Sequence, residues 1–402
     1  MQRRSRARGS GQTTPATGSP SPDVRRHGAA ATADKEQQPG VAGSLGAARL
    51  AATLALGCAV WLAQLLLARD VLGAPVLALF GLVTASYVLR RWPLLLHAPK
   101  PLHPAWSAVH TIAHRGGRQA TPENTLAGFR RCCEGRLVHA VELDVWLTQD
   151  GEVAVFHDGT LKRTCGRDGH VNDVRSDALP EVLQRSSDGF RQGEGQPPIP
   201  ASERRLPLLR EVLALLTSHA PITVMVEFKS PEPELVDSVL VLLQEHEMLH
   251  RAACFSLDPT INAQLRAVPE FFLCSEVTKI VTILLLYYCG LVGFLPTSFF
   301  DEIFGITAVV VENGNLGFLH RIPVVRSLPL SAQWVLARQV GNVTNVPKLF
   351  AHLRERNIVT WCLGVNNDDK LSRARAMGVD AVLTDAPEWI ALQTASAGAH
   401  RF

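Results

Sequence analysis

The chain lacks the cysteine spacings of a zinc knuckle or a dithiol pair. Its eight cysteines (58, 132, 133, 165, 254, 274, 289 and 362) form no Cys-x-x-Cys, and several lie in apolar runs where a free thiol behaves as a small hydrophobe. They therefore assign neither a metal nor a redox compartment. Charge of one sign is also scarce: a net +3 over 402 residues is too little for a nucleic-acid footprint. A cleavable leader does not fit, because the first apolar run starts near residue 50 and is too long for a signal peptide. With 47% hydrophobic residues against 19% charged, the chain has material for a large core and for some lipid-facing surface.

Residues 1–45 are Arg-, Gly-, Ser-, Pro- and Ala-rich with almost no large apolar side chains, and read as a disordered basic tail. Residues 1–49 hold eight Lys/Arg against three Asp/Glu, so the rest of the chain is slightly acidic. Composition then changes sharply. Leu50–Ala68 carries no charge, Arg69-Asp70 interrupts, and Val71–Leu89 is uncharged again before Arg90-Arg91-Trp92. The first run is long enough to span a bilayer; Gly73 and Pro75 interrupt the second, which is expected to insert partly. Residues 46–92 are thus expected to be a transmembrane or membrane-anchoring region. A third uncharged run, Ile280–Phe300, lies between strands of one sheet. A crossing there would split a barrel across the membrane, so an interfacial insertion near 278–304 is expected instead. The basic tail favours a cytosolic N-terminus at the plasma membrane or an endomembrane. One span then puts the globular part in the lumen or outside; a two-span hairpin returns it to the cytosol. The sequon Asn342-Val343-Thr344 fits the lumenal side and a glycoprotein.

From residue 105 to 392, short β-branched runs alternate with helical patterns, the signature of βα repeats on a parallel sheet. Expected strands are Val109–Ala113, Ala140–Val145, Val153–Phe156, Ile222–Phe228, Ala252–Ser256, Phe271–Val277, Thr307–Val311, Ile358–Cys362 and Ala381–Thr384. Nine is one too many for an eight-stranded ring, and the "LTQDGEVAVFHD" hairpin is the candidate to lie outside it. Residues 165–206, rich in Gly and Pro, read as a long loop or small insertion.

Chemistry gathers where strands end. Glu142 and Asp144, two apart on one strand, face the same way at about 6.5–7 Å by strand rise. Glu227 and Lys229 repeat that spacing on another strand. Carboxylates held so close need a cation between them, and three of them form a hard oxygen site for Mg²⁺ or Ca²⁺ rather than zinc. His114 and His157 are the acid/base candidates, since imidazole titrates near neutrality. Arg115 offers a planar fork for phosphate oxygens and Lys229 a compact second charge, while Gly116-Gly117 lets a phosphate approach the backbone. Together these describe phosphoryl chemistry.

The motifs "AHRGG", "PENTLAGF", "VELDVWLTQDGEVAVFHD", "LKRTCG", "VEFK", "VTWCLG" and "GVDAVLTDAP" follow one another over about residues 109–390. In this order they resemble the glycerophosphodiester phosphodiesterase family, most closely its membrane-bound glycerophosphodiester phosphodiesterase 1 group. The resemblance implies a TIM-type (β/α) barrel of the PLC-like phosphodiesterase kind. It also implies metal-dependent cleavage of glycerophosphodiesters, such as glycerophosphoinositol or glycerophospho-N-acylethanolamines, to glycerol 3-phosphate and an alcohol. Carried over by motif, Glu142, Asp144 and Glu227 match the metal ligands, with Mg²⁺ preferred over Ca²⁺. His114 and His157 match the acid/base pair, and Arg115 and Lys229 the phosphate contacts. Glu123, Asn124 and Trp361 match supporting positions. The chain departs from the pattern at Gly364, where the family has Asn or Asp, with Asn366 nearby, and at Cys165, where it has a second Thr. Two other readings stand beside this one: a lysophospholipase D acting on single-chain phospholipids, and a membrane interaction protein that has lost catalysis. The residues accommodate either water or the neighbouring glycerol hydroxyl as nucleophile.

Overall fold

The computed structural model describes residues 56–62, 74–183, 199–219, 221–307, 327–329, 331–333, 335–336, 339 and 346–395. The expected tail over 1–45, most of the first uncharged run and the sequon at Asn342 lie outside the described residues. Two compact units divide the chain, residues 1–62 and 63–402. In the first, residues 56–62 are helical. No helix among the described residues is long and apolar enough to cross a membrane.

The second unit holds nine strands: β1 (Thr111–Ala113), β2 (Ala140–Leu147), β3 (Val153–Val155), β4 (Thr223–Phe228), β5 (Ala252–Phe255), β6 (Phe272–Leu273), β7 (Ile303–Thr307), β8 (Val359–Leu363) and β9 (Ala381–Thr384). Eight of them run parallel in the order β6-β5-β4-β2-β1-β9-β8-β7, and a single parallel bridge from Cys274 to Ile303 closes β6 on β7. This is a TIM-type barrel. The ninth, β3, pairs antiparallel with the far end of β2 and lies outside the ring, as the strand count requires.

Period two decides what each strand presents. On β2, Ala140 belongs to the barrel interior, while Val141, Leu143 and Val145 face the outer helices. Glu142 and Asp144 therefore point inward, above Ala140. The interior below them is filled by Ile112, Met225, Ala253, Ile303, Val359, Trp361 and Leu383, with Trp106 plugging the bottom.

Helices α1 (Ala74–Arg91), α2 (Leu126–Glu134), α3 (Leu209–Thr217), α4 (Pro233–Glu245), α5 (Pro259–Arg266), α6 (Val277–Tyr288), α7 (Pro347–Glu355), α8 (Asp368–Met377) and α9 (Pro387–Ala395) accompany the sheet. Local signals set their ends. Thr125 Oγ1 accepts from Gly128 N at the start of α2, and Asp258 Oδ1 accepts from Thr260 N before Pro259 of α5. Asn367 caps α8, and Gly378 ends it at φ +67°. Leu209, Val212, Leu213 and Leu216 give α3 its buried stripe at i, i+3, i+4 and i+7.

Two expected strands moved. β7 begins at Ile303 rather than Thr307, directly after the charged pair Asp301-Glu302 that ends the uncharged run, because Ile303–Phe304 is too short an apolar pair before Gly305 to stand out from the β-branched stretch that follows; most of the expected segment lies outside the described residues. β6 keeps only two residues, and Val277 starts α6 instead. The insertion after Cys165 has a small core of its own, in which Val171, Leu179, Val182 and Leu206 pack under Phe156 and Leu161.

Helix α6 buries Ile283 and Leu284 against the barrel and leaves Val277, Val281, Leu285 and Tyr288 exposed along one stripe. Helix α1 likewise exposes Val76, Leu79, Phe80, Val83 and Tyr87. The two helices meet the same loop: Ser86 Oγ donates to Gly290 O, and Gly293 lies so close to Leu89 that a Cβ there would fall 2.7 Å from that side chain. Arg356, fully buried, donates to Leu295 O at 2.6 Å and stands over the Phe300 ring, fixing the loop from beneath.

Candidate active site

The C-terminal ends of β1, β2, β4 and β9 are neighbours, and the residues just beyond them converge. Register aligns Asp144 with Glu227 across β2 and β4, and places His114, one residue past Ala113, beside Glu142 on one side and Asp385 on the other. Carboxylate oxygens of Glu142, Asp144 and Glu227 all lie within 4.8 Å of one another, each residue buried.

Burial of three acids in one place is unfavourable without a cation, and their proton affinities record it. Burial, reinforced by Asp144, pushes Glu142 well above the ordinary carboxyl range. Burial likewise raises Glu227 to about 7, against the pull of Lys229. Asp144 goes the other way: burial works to raise it, but Lys229 and Arg115 hold it below the usual range. Lys229 Nζ lies 3.1 Å from Asp144 Oδ1 and 2.5 Å from Glu227 Oε1. Both oxygens are buried and meet the one ammonium, which leaves each a second lone pair for a ligand. A hard divalent cation fits this donor set.

The loop after β1 is wound to serve the cluster. Arg115, Gly116 and Gly117 have φ of 51°, 74° and 84°, a left-handed run that turns the backbone back over the mouth. Arg115 N donates to Glu142 Oε2 at 2.9 Å. Its guanidinium donates to Glu123 Oε1 at 3.0 Å and lies 3.5 Å from Asp144 Oδ2. Asn124, at φ 54°, donates from Nδ2 to Asp144 Oδ2 at 2.8 Å, and its N–H donates to Arg115 O. The Pro-Glu-Asn-Thr segment thus grips both the arginine and one acid before Thr125 starts α2.

Gly117 cannot be replaced at that turn. A Cβ would fall 2.5 Å from Pro387 Cγ, on top of the left-handed φ. Gly117→Ala is expected to cost about 2–4 kcal/mol, combining left-handed strain with a clash against a proline ring. A larger fall in thermal midpoint for Gly117→Ala than for Gly151→Ala, which meets the same left-handed φ in open space, would check it.

His157 arrives by a different route. β2 overshoots the ring, turns at Gly151 and returns through β3, so that Phe156 N donates to Asp144 O at 2.9 Å. The returning arm, and not a barrel strand, sets His157 at the mouth. Its Nδ1 lies 2.6 Å from Asp158 Oδ1. Arg163 then clamps Asp158 (Nε to Oδ2, 2.6 Å) and Glu123 (2.6 and 3.0 Å) in one fork. His114 has a matching partner, with Nδ1 2.6 Å from Asp385 Oδ1. Burial lowers both imidazoles below their ordinary value and outweighs the carboxylate beside each, so both are neutral near pH 7.

Of the residues expected from sequence, His114, Arg115, Glu123, Asn124, Glu142, Asp144, His157, Glu227 and Lys229 come together at one mouth. Trp361 sits lower, in the interior layer of β8, with its Nε1 buried and unbonded. Gly364 adopts φ +81° with open space where a side chain would begin, and Asn366 instead staples the end of β9: it donates to Asp385 Oδ2 and accepts from Asp385 N, both at 2.8 Å. Sequence reasoning missed Asp385, Arg118 and Arg163. Asp385 follows a strand directly, the same signal that marked His114.

With this geometry in hand, comparison with known proteins is informative. The profile of the glycerophosphoryl diester phosphodiesterase family matches residues 114–260 and 321–389, skipping the stretch that contains α6. A glycerophosphodiester phosphodiesterase of Caldanaerobacter subterraneus is 32% identical over 69% of this chain and 94% of its own length. Human Lysophospholipase D GDPD1 is 26% identical over 76% of this chain and 92% of its own. The crystal structure of a Silicibacter pomeroyi protein described as a glycerophosphoryl diester phosphodiesterase superposes with a TM-score of 0.50 at 18% identity, over 74% of this chain and 96% of that one; it shares the fold.

Proposed function

This chain belongs to the glycerophosphoryl diester phosphodiesterase family, and from that premise we propose that the mouth of its barrel hydrolyses glycerophosphodiesters to glycerol 3-phosphate and an alcohol. The observation that carries the reading is the buried triad Glu142, Asp144 and Glu227 with His114 and His157 beside it.

The triad would hold a divalent cation, Mg²⁺ in preference to Ca²⁺, since three protein oxygens fall short of the six to eight that Ca²⁺ gathers and leave room for the waters and substrate phosphate that Mg²⁺ keeps. Such an ion would act as a Lewis acid on a phosphate oxygen, commonly worth several kcal/mol. The chain's own groups do the rest. Arg115 and Lys229 supply positive charge beside the acids and receive the remaining phosphate oxygens. Each imidazole has its Nδ1 facing a carboxylate, which leaves Nε2 as the working nitrogen. One imidazole, neutral with its proton on Nδ1, takes the proton of the nucleophile at Nε2. The other serves as acid from its doubly protonated form, in which Nε2 also carries hydrogen, and gives that proton to the departing alkoxide. One ring ends a proton richer and the other a proton poorer until solvent resets them. Glu123, Asn124 and Arg163 keep Arg115, Asp144 and Asp158 in place.

A lysophospholipase D activity is favoured by a specific feature. Helix α6 starts three residues after the closing bridge of β6, on the mouth side of the ring, and carries its exposed apolar stripe from there. With the matching stripe on α1, it suits a body resting on a bilayer through residues 46–92 and 278–304, with a lipid surface near the substrate entrance. A lumenal or extracellular barrel glycosylated at Asn342 belongs to the same reading, and removal of a glycan from that site by glycosidase once the vesicles are opened with detergent tests it.

Activity is checked with the full chain in detergent, assayed on glycerophosphoinositol and on lysophosphatidylcholine with Mg²⁺ and with EDTA. Release of glycerol 3-phosphate that EDTA abolishes is the expected result. Choline release from the lysolipid alone would shift the substrate class, and no metal-dependent product from either would defeat the enzyme reading in favour of a membrane interaction protein.

A further inference from the structure

We propose that Asp385 is a positioning residue for His114: it holds the imidazole by its Nδ1–H, so that Nε2 is the nitrogen presented to the phosphodiester. The inference rests on the phosphodiesterase reading of the mouth and adds to it a group from the last strand of the ring.

Three observations support it. The first is placement. Ala113 pairs with Thr384 across β1 and β9, so the next residues, His114 and Asp385, are brought side by side by the sheet itself, 271 positions apart in the chain. The second is the immobility of the carboxylate. Arg118 donates to it from Nε at 2.6 Å and from a terminal nitrogen at 3.1 Å, a two-pronged grip. Asn366 Nδ2 donates to Oδ2, while Asn366 Oδ1 accepts from Asp385 N and from Thr384 Oγ1 at 3.0 Å. Both oxygens and the backbone are therefore fixed. The third is chemical. A carboxylate gripped by a guanidinium stays ionised and can only accept, so the ring nitrogen facing it at 2.6 Å must carry the proton. Nε2 is then deprotonated and aimed away from Asp385. Arg118 offsets the carboxylate's charge, which keeps the imidazole from being drawn into a permanent ion pair.

The same chain of three groups is built a second time from unrelated segments. His157 Nδ1 meets Asp158 at 2.6 Å, and Arg163 grips Asp158 through two nitrogens. In one case the carboxylate is the adjacent residue; in the other it comes from 271 positions further along the chain. Two independent solutions to one geometric need point to a role in holding the histidines rather than to incidental pairing.

The alternative is that Asp385 merely pins the loop after β9. Asp385→Asn separates the two, because it keeps the shape and can keep the bonds to Asn366. For a pin, Asn is close to wild type. For a positioning carboxylate, Asn is damaging, since its amide can donate to Nδ1 and select the wrong tautomer. On glycerophosphoinositol with Mg²⁺, kcat of Asp385→Asn is expected to fall about 10²–10⁴-fold, no less than for Asp385→Ala, with KM moving less than about threefold. Should both variants fail to fold, Arg118→Gln leaves Asp385 on His114 but loosens it, and kcat is expected to fall about 10–100-fold. An Asp385→Asn enzyme with near-normal kcat, or one impaired in KM alone, overturns the proposal while the wild type remains active; where only Arg118→Gln folds, a kcat near wild type overturns it equally. A wild type with no metal-dependent turnover defeats the phosphodiesterase reading instead.

Discussion

Glu142→Gln is expected to lower kcat by about 10³-fold or more while leaving the metal-free protein at least as stable as the wild type. The two halves of that expectation have one cause. Glu142 is buried beside Asp144, and burial raises its proton affinity well above the ordinary range. Without a cation the native state favours the neutral acid, which glutamine imitates in size and in its ability to accept from Arg115 N. By linkage, a carboxyl whose pKa is raised on folding contributes stability at low pH and loses it as pH rises through the raised value. The wild type is therefore expected to lose thermal stability over that rise, and the variant to lose less. Added Mg²⁺ reverses the ranking, because the wild type supplies three charges to the ion and the variant two. Thermal midpoints measured with and without Mg²⁺ across pH, alongside turnover, check both halves. A variant that keeps both its activity and its response to Mg²⁺ would remove Glu142 from the ligand set.

His114→Ala is expected to cost about 10²–10⁴ in kcat, the usual weight of a positioned acid or base. Its neighbours make the variant informative. Asp385 stays paired with Arg118 and Asn366 after the ring is gone, so no buried charge is orphaned. The left-handed turn at Arg115 is set by backbone and by Glu142, not by the imidazole. Fold and metal binding should survive, and a thermal midpoint within a few degrees together with an unchanged Mg²⁺ response would show it. His157→Ala should lose activity comparably. A His114→Ala enzyme that turns over near the wild-type rate would take His114 out of the acid/base role.

How much of this was legible from sequence depended on range. The inward pair Glu142 and Asp144 follows from period two on a single strand, and the surplus ninth strand followed from counting. Glu227 and Lys229 repeated that pattern elsewhere, so the acidic cluster could be assembled without knowing the sheet order. Asp385 could not, because nothing local says that the last strand closes against the first. Arg163 was hidden for another reason: its partners, Glu123 and Asp158, lie in different loops and meet only through the guanidinium. The start of β7 was missed because Ile303–Phe304 is a short apolar pair between Asp301-Glu302 and Gly305 that carries little strand signal of its own, and Trp361 was marked by its motif although its indole nitrogen faces no partner.

The ring is unevenly bound. β2 and β4 are in register over six residue pairs, whereas β6 and β7 meet at the single pair Cys274 and Ile303. Among the described residues, the acids, imidazoles and arginines brought together at the mouth stand on β1, β2, β4, β9 or the arms tied to them, across the barrel from that seam. A hoop fastened this way yields at its clasp before its far side deforms. The apolar helix α6 emerges beside the clasp, so its exposed stripe stands at the least-paired part of the ring, and Glu142, Asp144, Glu227 and the two histidines stand at the best-paired part.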